Sequence, residues 1–164
     1  MLVKTYGSAV NGIHATTITI EVDVTAGIKF YLVGLPDNAV KESEQRIRAA
    51  LQNNGYRIPG KKIVINMAPA DIKKEGSSYD LPLAIGILAA SGQMKSNKIS
   101  DYIIMGELSL DGSLQHIKGA LPIAIKAREE GYKGVILPKE NAREAAIVNN
   151  LDVLGVKNIK ELIN

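Results

Sequence analysis

The chain has 164 residues, a formal net charge of +3 and no cysteine. This length suits a single domain with a proper hydrophobic core, and the lack of cysteine excludes disulfides and thiolate metal sites. One Phe, six Tyr and no Trp predict an aliphatic core. The N-terminus shows no basic segment leading into an apolar run, and the longest apolar run, residues 81–90, is too short to span a bilayer. We therefore expect a cytoplasmic protein without a membrane partner.

The first third of the chain is predicted to be β-structure. Residues 2–10 and 13–24 flank Asn11-Gly12, the pair preferred in tight type I′ hairpin turns because both residues tolerate positive φ. Apolar and polar residues alternate through the second of these segments, which is typical of a half-exposed antiparallel strand. A third strand is predicted at residues 29–33.

The periodicity then changes from strand to helix. An apolar stripe predicts a helix from Pro36 or Asp37 to about Asn53. A fourth strand is predicted at residues 62–67. The elements thus begin with antiparallel β-structure and continue with helices and strands in alternation.

The second half continues this alternation. Asp80 is predicted to be the N-cap of a helix over residues 81–90, which is apolar on nearly every side and is therefore expected to be buried. Asp111-Gly112 predicts a second hairpin. The strands of that hairpin are predicted at 103–110 and 114–117, further helices at 119–130, 140–149 and 159–163, and further strands at 134–137 and 151–154. The whole pattern predicts an α+β fold, with helices on a mixed β-sheet, in one domain covering residues 1–164.

The loop containing Ser77 and Ser78 is a candidate site. It is polar, contains Gly76 and ends where the buried helix is predicted to begin. The positive potential of a helix N-terminus favours an oxyanion, but a nucleophilic serine also needs a base, such as His or an uncharged Lys. The alternative is an ordinary loop whose serines bond to nearby backbone amides. The residues alone leave both interpretations open.

Other possible sites have weaker signals. Residues 55–62 nearly match the phosphate-binding pattern GxxxxGK[ST], but the last position is Lys, and a helix precedes the segment where a strand should. We therefore predict no cofactor in this segment. His14 and His116 have no partner at ligand spacing and predict no metal site. Four lysines could form an edge that contacts nucleic-acid phosphates, or simply a solvated face: Lys61, Lys62, Lys73 and Lys74.

Three segments in order resemble the proteolytic domain of Lon: residues 76–80, 105–112 with its Gly-Glu pair, and 135–141 with its Leu-Pro-x-Glu-Asn run. This resemblance implies that Ser78 stands at the position of the Lon nucleophile. It also implies that Leu121 stands where the Lon lysine would be, so the base is missing. Lys118 lies one turn earlier, and Lys73 and Lys74 precede the serine, but none of them occupies the family position.

A longer resemblance covers essentially the whole chain. Residues 8–12, 33–43, 66–76 and 79–84 are similar to the ComM/YifB family of magnesium-chelatase-like AAA+ proteins. It implies an N-terminal Lon-like domain of the ribosomal protein S5 domain 2-like fold. It also implies a following AAA+ module that uses ATP and Mg²⁺, and a hexameric helicase that promotes DNA branch migration during natural transformation.

Three functional hypotheses follow. The first is a non-catalytic module that assembles with its own AAA+ module in a homo-oligomer, a hexamer, or guides DNA to that ring. The second is a Lon-type Ser/Lys peptidase with Ser78 as nucleophile. The third is a stand-alone nucleic-acid-binding domain, against which stands the lack of an aromatic stacking platform.

Overall fold

The computed structural model describes residues 1–95 and 97–163. It contains strands and helices in mixed order, and the predicted α+β class is confirmed. The strands are β1 (Leu2–Asn11), β2 (His14–Thr25), β3 (Phe30–Val33), β4 (Lys62–Ala68), β5 (Tyr102–Ile104), β6 (Glu107–Leu108), β7 (Leu114–Gln115), β8 (Gly134–Pro138) and β9 (Asp152–Val156). The helices are α1 (Asn38–Lys41), α2 (Ser43–Gln52), α3 (Asp80–Ala90), α4 (Ala120–Glu129), α5 (Lys139–Ala145) and α6 (Lys160–Ile163), with a 3₁₀ turn at Ile99–Asp101.

A seven-stranded sheet in the order β3-β4-β2-β1-β5-β8-β9 forms the centre of the molecule. Strand β2 is antiparallel to both β1 and β4, and every other neighbouring pair in this sheet is parallel. The predicted first hairpin is confirmed: β1 and β2 pair from Leu2↔Asp23 to Asn11↔His14. Gly12 in its turn has φ 63°, the left-handed conformation that this turn requires.

Helix α3 packs directly on one face of the sheet, and all of its residues are buried. The hydroxyl of Thr5 on β1 donates to the carbonyl oxygen of Pro82 at 3.0 Å. A Cβ added at Gly86 would lie 2.6 Å from a methyl carbon of Val22 on β2. This close approach explains why the helix is apolar on nearly every side, because the sheet and α2 enclose it.

The structure corrects the first predicted helix. The segment from Pro36 to Asn53 contains two helices, α1 and α2, with Glu42 between them. Asp37 is the N-cap of α1, and its carboxylate accepts a hydrogen bond from the amide of Val40 at 2.8 Å.

The second predicted hairpin is much shorter than the sequence indicated. Strand β5 belongs to the large sheet, between β1 and β8, and only β6 and β7 pair as a hairpin. The amide of Met105 still bonds to the carbonyl oxygen of Ile136 in β8 at 3.1 Å, after which the chain leaves the sheet at Gly106.

The helix predicted at 140–149 ends at Ala145. In the described part of the chain, no helix is long and apolar enough to cross a membrane.

Candidate functional site

Ser78 lies in a groove of about 700 Å³. The loop of residues 75–79 forms one wall, and the end of β1, with Ser8 and Val10, forms another. Met105, Glu107 of β6, residues 115–118 and Ile123 of α4 complete the lining. The sheet order brings these segments together, because β5 lies next to β1 and leads directly into the β6–β7 hairpin. We call this feature the Ser78 groove.

Backbone hydrogen bonds hold the serine loop against the hairpin. The amide of Gly106 donates to the carbonyl oxygen of Ser78 at 2.7 Å, and the amide of Leu81 donates to the carbonyl oxygen of Gly106 at 3.0 Å. The hydroxyl of Ser77 donates to the carboxylate of Glu107. Ser78 itself is half-buried, and its hydroxyl has no hydrogen-bond partner among the described residues. The loop is therefore fixed, while no group in the described part of the chain takes the proton of Ser78.

The position of the Lon lysine is apolar in this structure. Leu121 packs against the core, and its backbone amide donates to the Glu144 carboxylate at 3.0 Å. Lys118 does line the Ser78 groove, but its side chain is exposed to solvent. A lysine acts as a base in its uncharged form, which burial in an apolar pocket favours. The structure thus brings Ser78 and Lys118 to one groove without the burial that would activate the amine.

The prediction that Asp80 caps a helix is wrong. Tyr79 occupies the N-cap, and no side chain caps α3. The Asp80 carboxylate is fully buried and accepts bonds from Ser43 Oγ at 2.6 Å, Arg46 Nε at 2.6 Å, Arg46 Nη2 at 2.9 Å and the Leu108 amide at 3.0 Å. Burial raises the pKa of Asp80, while the bonds from Arg46 and Ser43 oppose that rise. The hydrogen bonds that Arg46 donates to Asp80 raise the pKa of the Arg46 guanidinium. The carboxylate is therefore a structural link among α2, α3 and β6.

Of the four lysines predicted to contact phosphates, Lys74 does not lie at the surface. Its side chain is 0% exposed, and its ammonium donates to the carbonyl oxygen of Gly34 at 2.7 Å and to that of Pro69. Burial lowers the pKa of this amine. The prediction that Lys74 lies on an exposed basic edge is wrong, because its ammonium is buried and donates hydrogen bonds to carbonyl groups of two loops. Lys73 is exposed and lies 3.6 Å from a carboxylate oxygen of Glu75.

Lys61 and Lys62 are both exposed, and neither forms an ion pair within residues 1–95 and 97–163. The Lys62 ammonium lies 5.8 Å from the ring centroid of Tyr31. Arg57, which the sequence reasoning did not select, lines a shallow pocket together with Lys61. Arg57 lies only four positions before Lys61 in the sequence, and this proximity to a selected lysine is the signal that could have identified it. Lys29 joins them only through the pairing of β3 with β4, since the Ile63 amide bonds to its carbonyl oxygen at 2.8 Å.

We call the exposed residues Lys29, Arg57, Lys61 and Lys62 the basic corner.

The two histidines lie elsewhere: His14 begins β2, and His116 lines the Ser78 groove with its Nδ1 3.7 Å from a carboxylate oxygen of Glu140. In the described ranges, no three His, Asp or Glu side chains meet in a group that could hold a metal ion.

Comparison with known proteins identifies the family. A family model described as subunit ChlI of Mg-chelatase matches residues 20–141. The chain therefore belongs to this magnesium-chelatase-like family, and the resemblance to ComM and YifB predicted from its motifs is confirmed.

Individual relatives agree with that assignment. The chain is 46% identical to the uncharacterized protein YifB of Escherichia coli over 84% of its own length and 27% of that protein. It is 40% identical to the competence protein ComM of Haemophilus influenzae over 96% of its length and 31% of that protein. Lon protease 2 of Bacillus subtilis is 30% identical over 76% of this chain and 22% of the protease. The chain thus spans less than a third of each of these relatives.

Proposed function

We propose that this chain is a non-catalytic N-terminal module of a magnesium-chelatase-like AAA+ ATPase that processes DNA. The 40% identity to the competence protein ComM over 96% of the chain carries this proposal. In this interpretation the module assembles a hexameric ring or guides DNA to it, as in branch migration during natural transformation. The proposal assigns the AAA+ module, which would use ATP and Mg²⁺, to a part of the full-length protein outside this chain, which covers 27–31% of these relatives.

The geometry of the Ser78 groove supports a non-catalytic role. The side chain of Leu121 has no amine that could act as a base, and its backbone amide donates a hydrogen bond to the Glu144 carboxylate. Ser78 has no base within hydrogen-bond distance among the described residues. A serine without an activating base is a poor nucleophile. We therefore expect Ser78→Ala to leave both the DNA-stimulated ATPase activity and the branch migration of the full-length protein unchanged. Loss of both activities in a folded variant would contradict a non-catalytic role for this residue.

The basic corner supports contact with DNA. Its cations lack acidic partners in the described structure, so their charges are available to phosphates. Each phosphate contact contributes about −0.9 to the slope of log K against log salt concentration. In the full-length protein, Lys61→Ala/Lys62→Ala should weaken binding to labelled duplex DNA and reduce that slope by about 2.

The matched control is Lys157→Ala/Lys160→Ala, which removes two exposed lysines from another part of the surface. This control changes the net charge equally and should have the smaller effect. If both double variants lower affinity and slope equally, the basic corner has no special role. If the parent protein does not bind DNA at all, guidance of DNA is excluded.

A second candidate function rests on the presence of Ser78 and Lys118 in one groove. With the 30% identity to a Lon protease, it favours a Lon-type Ser/Lys peptidase that uses a displaced base. The full-length protein with ATP would then cleave casein, and both Ser78→Ala and Lys118→Ala would abolish cleavage. Lack of cleavage by the parent protein would exclude this candidate.

A further inference from the structure

Strand β3 forms one edge of the large sheet, and its outer side has no partner strand among residues 1–95 and 97–163. The carbonyl oxygen of Lys29, just before the strand, accepts a hydrogen bond from the Ile63 amide of β4 at 2.8 Å. Backbone groups alternate in direction along a strand, so the amides and carbonyls of Phe30 and Leu32 point away from β4. We call residues 28–35 the β3 edge.

The β3 edge carries an apolar patch. Its four exposed large side chains are Ile28 at 88%, Tyr31 at 42%, Val33 at 47% and Leu35 at 53%. Tyr31 and Val33 lie on the same face of the sheet, because side chains two positions apart in a strand point the same way. Single exposed apolar side chains are ordinary, but four within eight residues are not. An open strand edge of this kind pairs readily with another extended chain.

The backbone at Leu35 gives an independent indication of a binding surface. Leu35 has φ 59°, the left-handed conformation that residues other than Gly and Asn rarely adopt. The amide of Lys74 donates to its carbonyl oxygen at 2.9 Å, and the Lys74 ammonium donates to the carbonyl oxygen of Gly34 at 2.7 Å. The hydrophobic core does not include Leu35. Backbone strain is concentrated at functional sites, and here it holds a leucine in solvent beside the open strand.

The charges around the β3 edge indicate what covers it. Lys29 immediately precedes the strand, and the ammonium of Lys62 lies 5.8 Å from the ring centroid of Tyr31. Neither lysine forms an ion pair in the described part of the chain. An extended polypeptide with acidic side chains would neutralise both cations, and its backbone would bond to Phe30 and Leu32.

Nucleic acid is the poorer fit for this edge. A phosphate backbone offers acceptors but no donors, so it cannot bond to the outward carbonyl oxygens of β3. It also has no apolar surface to cover Tyr31, Val33 and Leu35. A peptide strand supplies donors, acceptors and apolar side chains at the spacing of β3.

We propose that the β3 edge binds an extended acidic segment of another polypeptide, which adds as a further strand beside β3. Apolar side chains of the segment pack on Tyr31, Val33 and Leu35, and its Asp or Glu side chains pair with Lys29 and Lys62. Because these two lysines belong to the basic corner, the segment and DNA would compete for them. The inference does not depend on the proposed contact with DNA, since the open edge and its apolar side chains carry it.

Selection of peptides by the intact chain tests this proposal. The probe is a phage-displayed library of random peptides of about twelve residues, long enough to span a strand edge. We expect the enriched peptides to combine several acidic residues with a run of β-branched or aromatic residues. Selected peptides are synthesised with a fluorescein label, and polarisation measures their affinity. Amide chemical shifts from NMR then locate the contact, with the largest changes expected at residues 28–35.

The Leu35→Asn variant separates binding from folding. Asn tolerates the left-handed conformation, and the leucine that it replaces is exposed, so the melting temperature should not change. The variant should weaken peptide binding about tenfold, the loss expected for one apolar anchor of an interface. Ile13→Asn is the matched control, since Ile13 is 83% exposed in the turn between β1 and β2. It should change neither quantity.

The Lys29→Glu/Lys62→Glu variant tests the acidic character of the segment. Reversing both charges should weaken peptide binding by about tenfold or more and remove its sensitivity to salt. Lys157→Glu/Lys160→Glu changes the net charge equally at exposed positions outside the β3 edge and should have the smaller effect. Equal effects of the two double variants would show that only net charge matters, which contradicts a site at Lys29 and Lys62.

Three further results would overturn the proposal. The first is that no peptide is enriched, and the second is that selected peptides bind equally well to Leu35→Asn. The third is that the largest shifts lie outside residues 28–35. Leu35→Asn keeps every cation of the basic corner, so it should bind duplex DNA as the parent does, and an equal loss of DNA binding would make the edge a nucleic-acid surface. A parent chain that binds peptides but not DNA would refute the proposed contact with DNA alone.

Discussion

Arg46 and Asp80 form a buried ion pair between α2 and α3, and Arg46→Met tests how much this pair stabilises the fold. The substitution keeps an unbranched side chain but removes the guanidinium. The Asp80 carboxylate, which is 0% exposed, would then keep only Ser43 and the Leu108 amide as donors. A buried carboxylate without its cation is strongly unfavourable, so the variant should be much less stable than the parent chain.

The magnitude follows from burial. Removing one partner of a buried ion pair costs about 3–5 kcal/mol. Arg46 is 21% exposed, so water can partly replace its guanidinium, and we expect a loss near the lower end, about 3 kcal/mol. At about 2–4 °C per kcal/mol for a domain of this size, the melting temperature should fall by about 6–12 °C.

Urea unfolding followed by circular dichroism measures the effect, and Arg48→Met is the matched control on the same helix. Arg48 pairs with Glu44 at 2.9 Å on the exposed surface, so its replacement should cost less than about 0.5 kcal/mol. Arg46→Met/Asp80→Leu removes both charges and should be more stable than the sum of the single variants predicts. Equal losses for Arg46→Met and Arg48→Met, or strict additivity in the double variant, would refute the reasoning.

Three further predictions concern Tyr79, Lys74 and Gly34. Burial raises the pKa of Tyr79 above its ordinary value of 10.0. The unfolded chain therefore loses this proton first, and stability falls by about 1.4 kcal/mol per pH unit above pH 10. Unfolding measured from pH 9 to 11 should show a shallower fall for Tyr79→Phe, and identical slopes would contradict this. Lys74→Met leaves two loop carbonyls without their donor and should cost about 2–3 kcal/mol in urea unfolding, whereas the exposed Lys73→Met should be nearly neutral. Gly34 has φ 106°, and a Cβ there would lie 2.2 Å from the Met67 carbonyl oxygen. Gly34→Ala should therefore lower the melting temperature by several degrees, and an unchanged value would show that the loop can move.

Local patterns were sufficient to predict several elements. Asn11-Gly12 and the alternation after it specify the β1–β2 hairpin, because both the turn and the register depend on neighbouring residues. The unbroken apolar run in residues 81–90 predicted the buried helix α3. The α+β class followed from the order of these elements. The position of Ser78 in a loop before a helix also came from sequence alone.

Long-range contacts account for what the sequence did not show. Asp80 has the local pattern of an N-cap, but its partner Arg46 is 34 residues away in the chain. Lys73 and Lys74 are adjacent and chemically identical, and only the tertiary fold buries one of them. Ser8 had no distinguishing signal, because its groove forms only when β5 is placed beside β1.

The central place of β1 in the sheet has a consequence for synthesis. Residues 1–68 contain β1, β2, β3 and β4, which can pair as soon as they leave the ribosome. The far side of β1 stays open until β5 has been made, and the helix that covers the sheet, α3, comes only shortly before β5. A nascent chain therefore exposes an unfinished apolar sheet until β5 has been made, a state that favours aggregation and recruits chaperones. Contacts between distant residues also make folding slow.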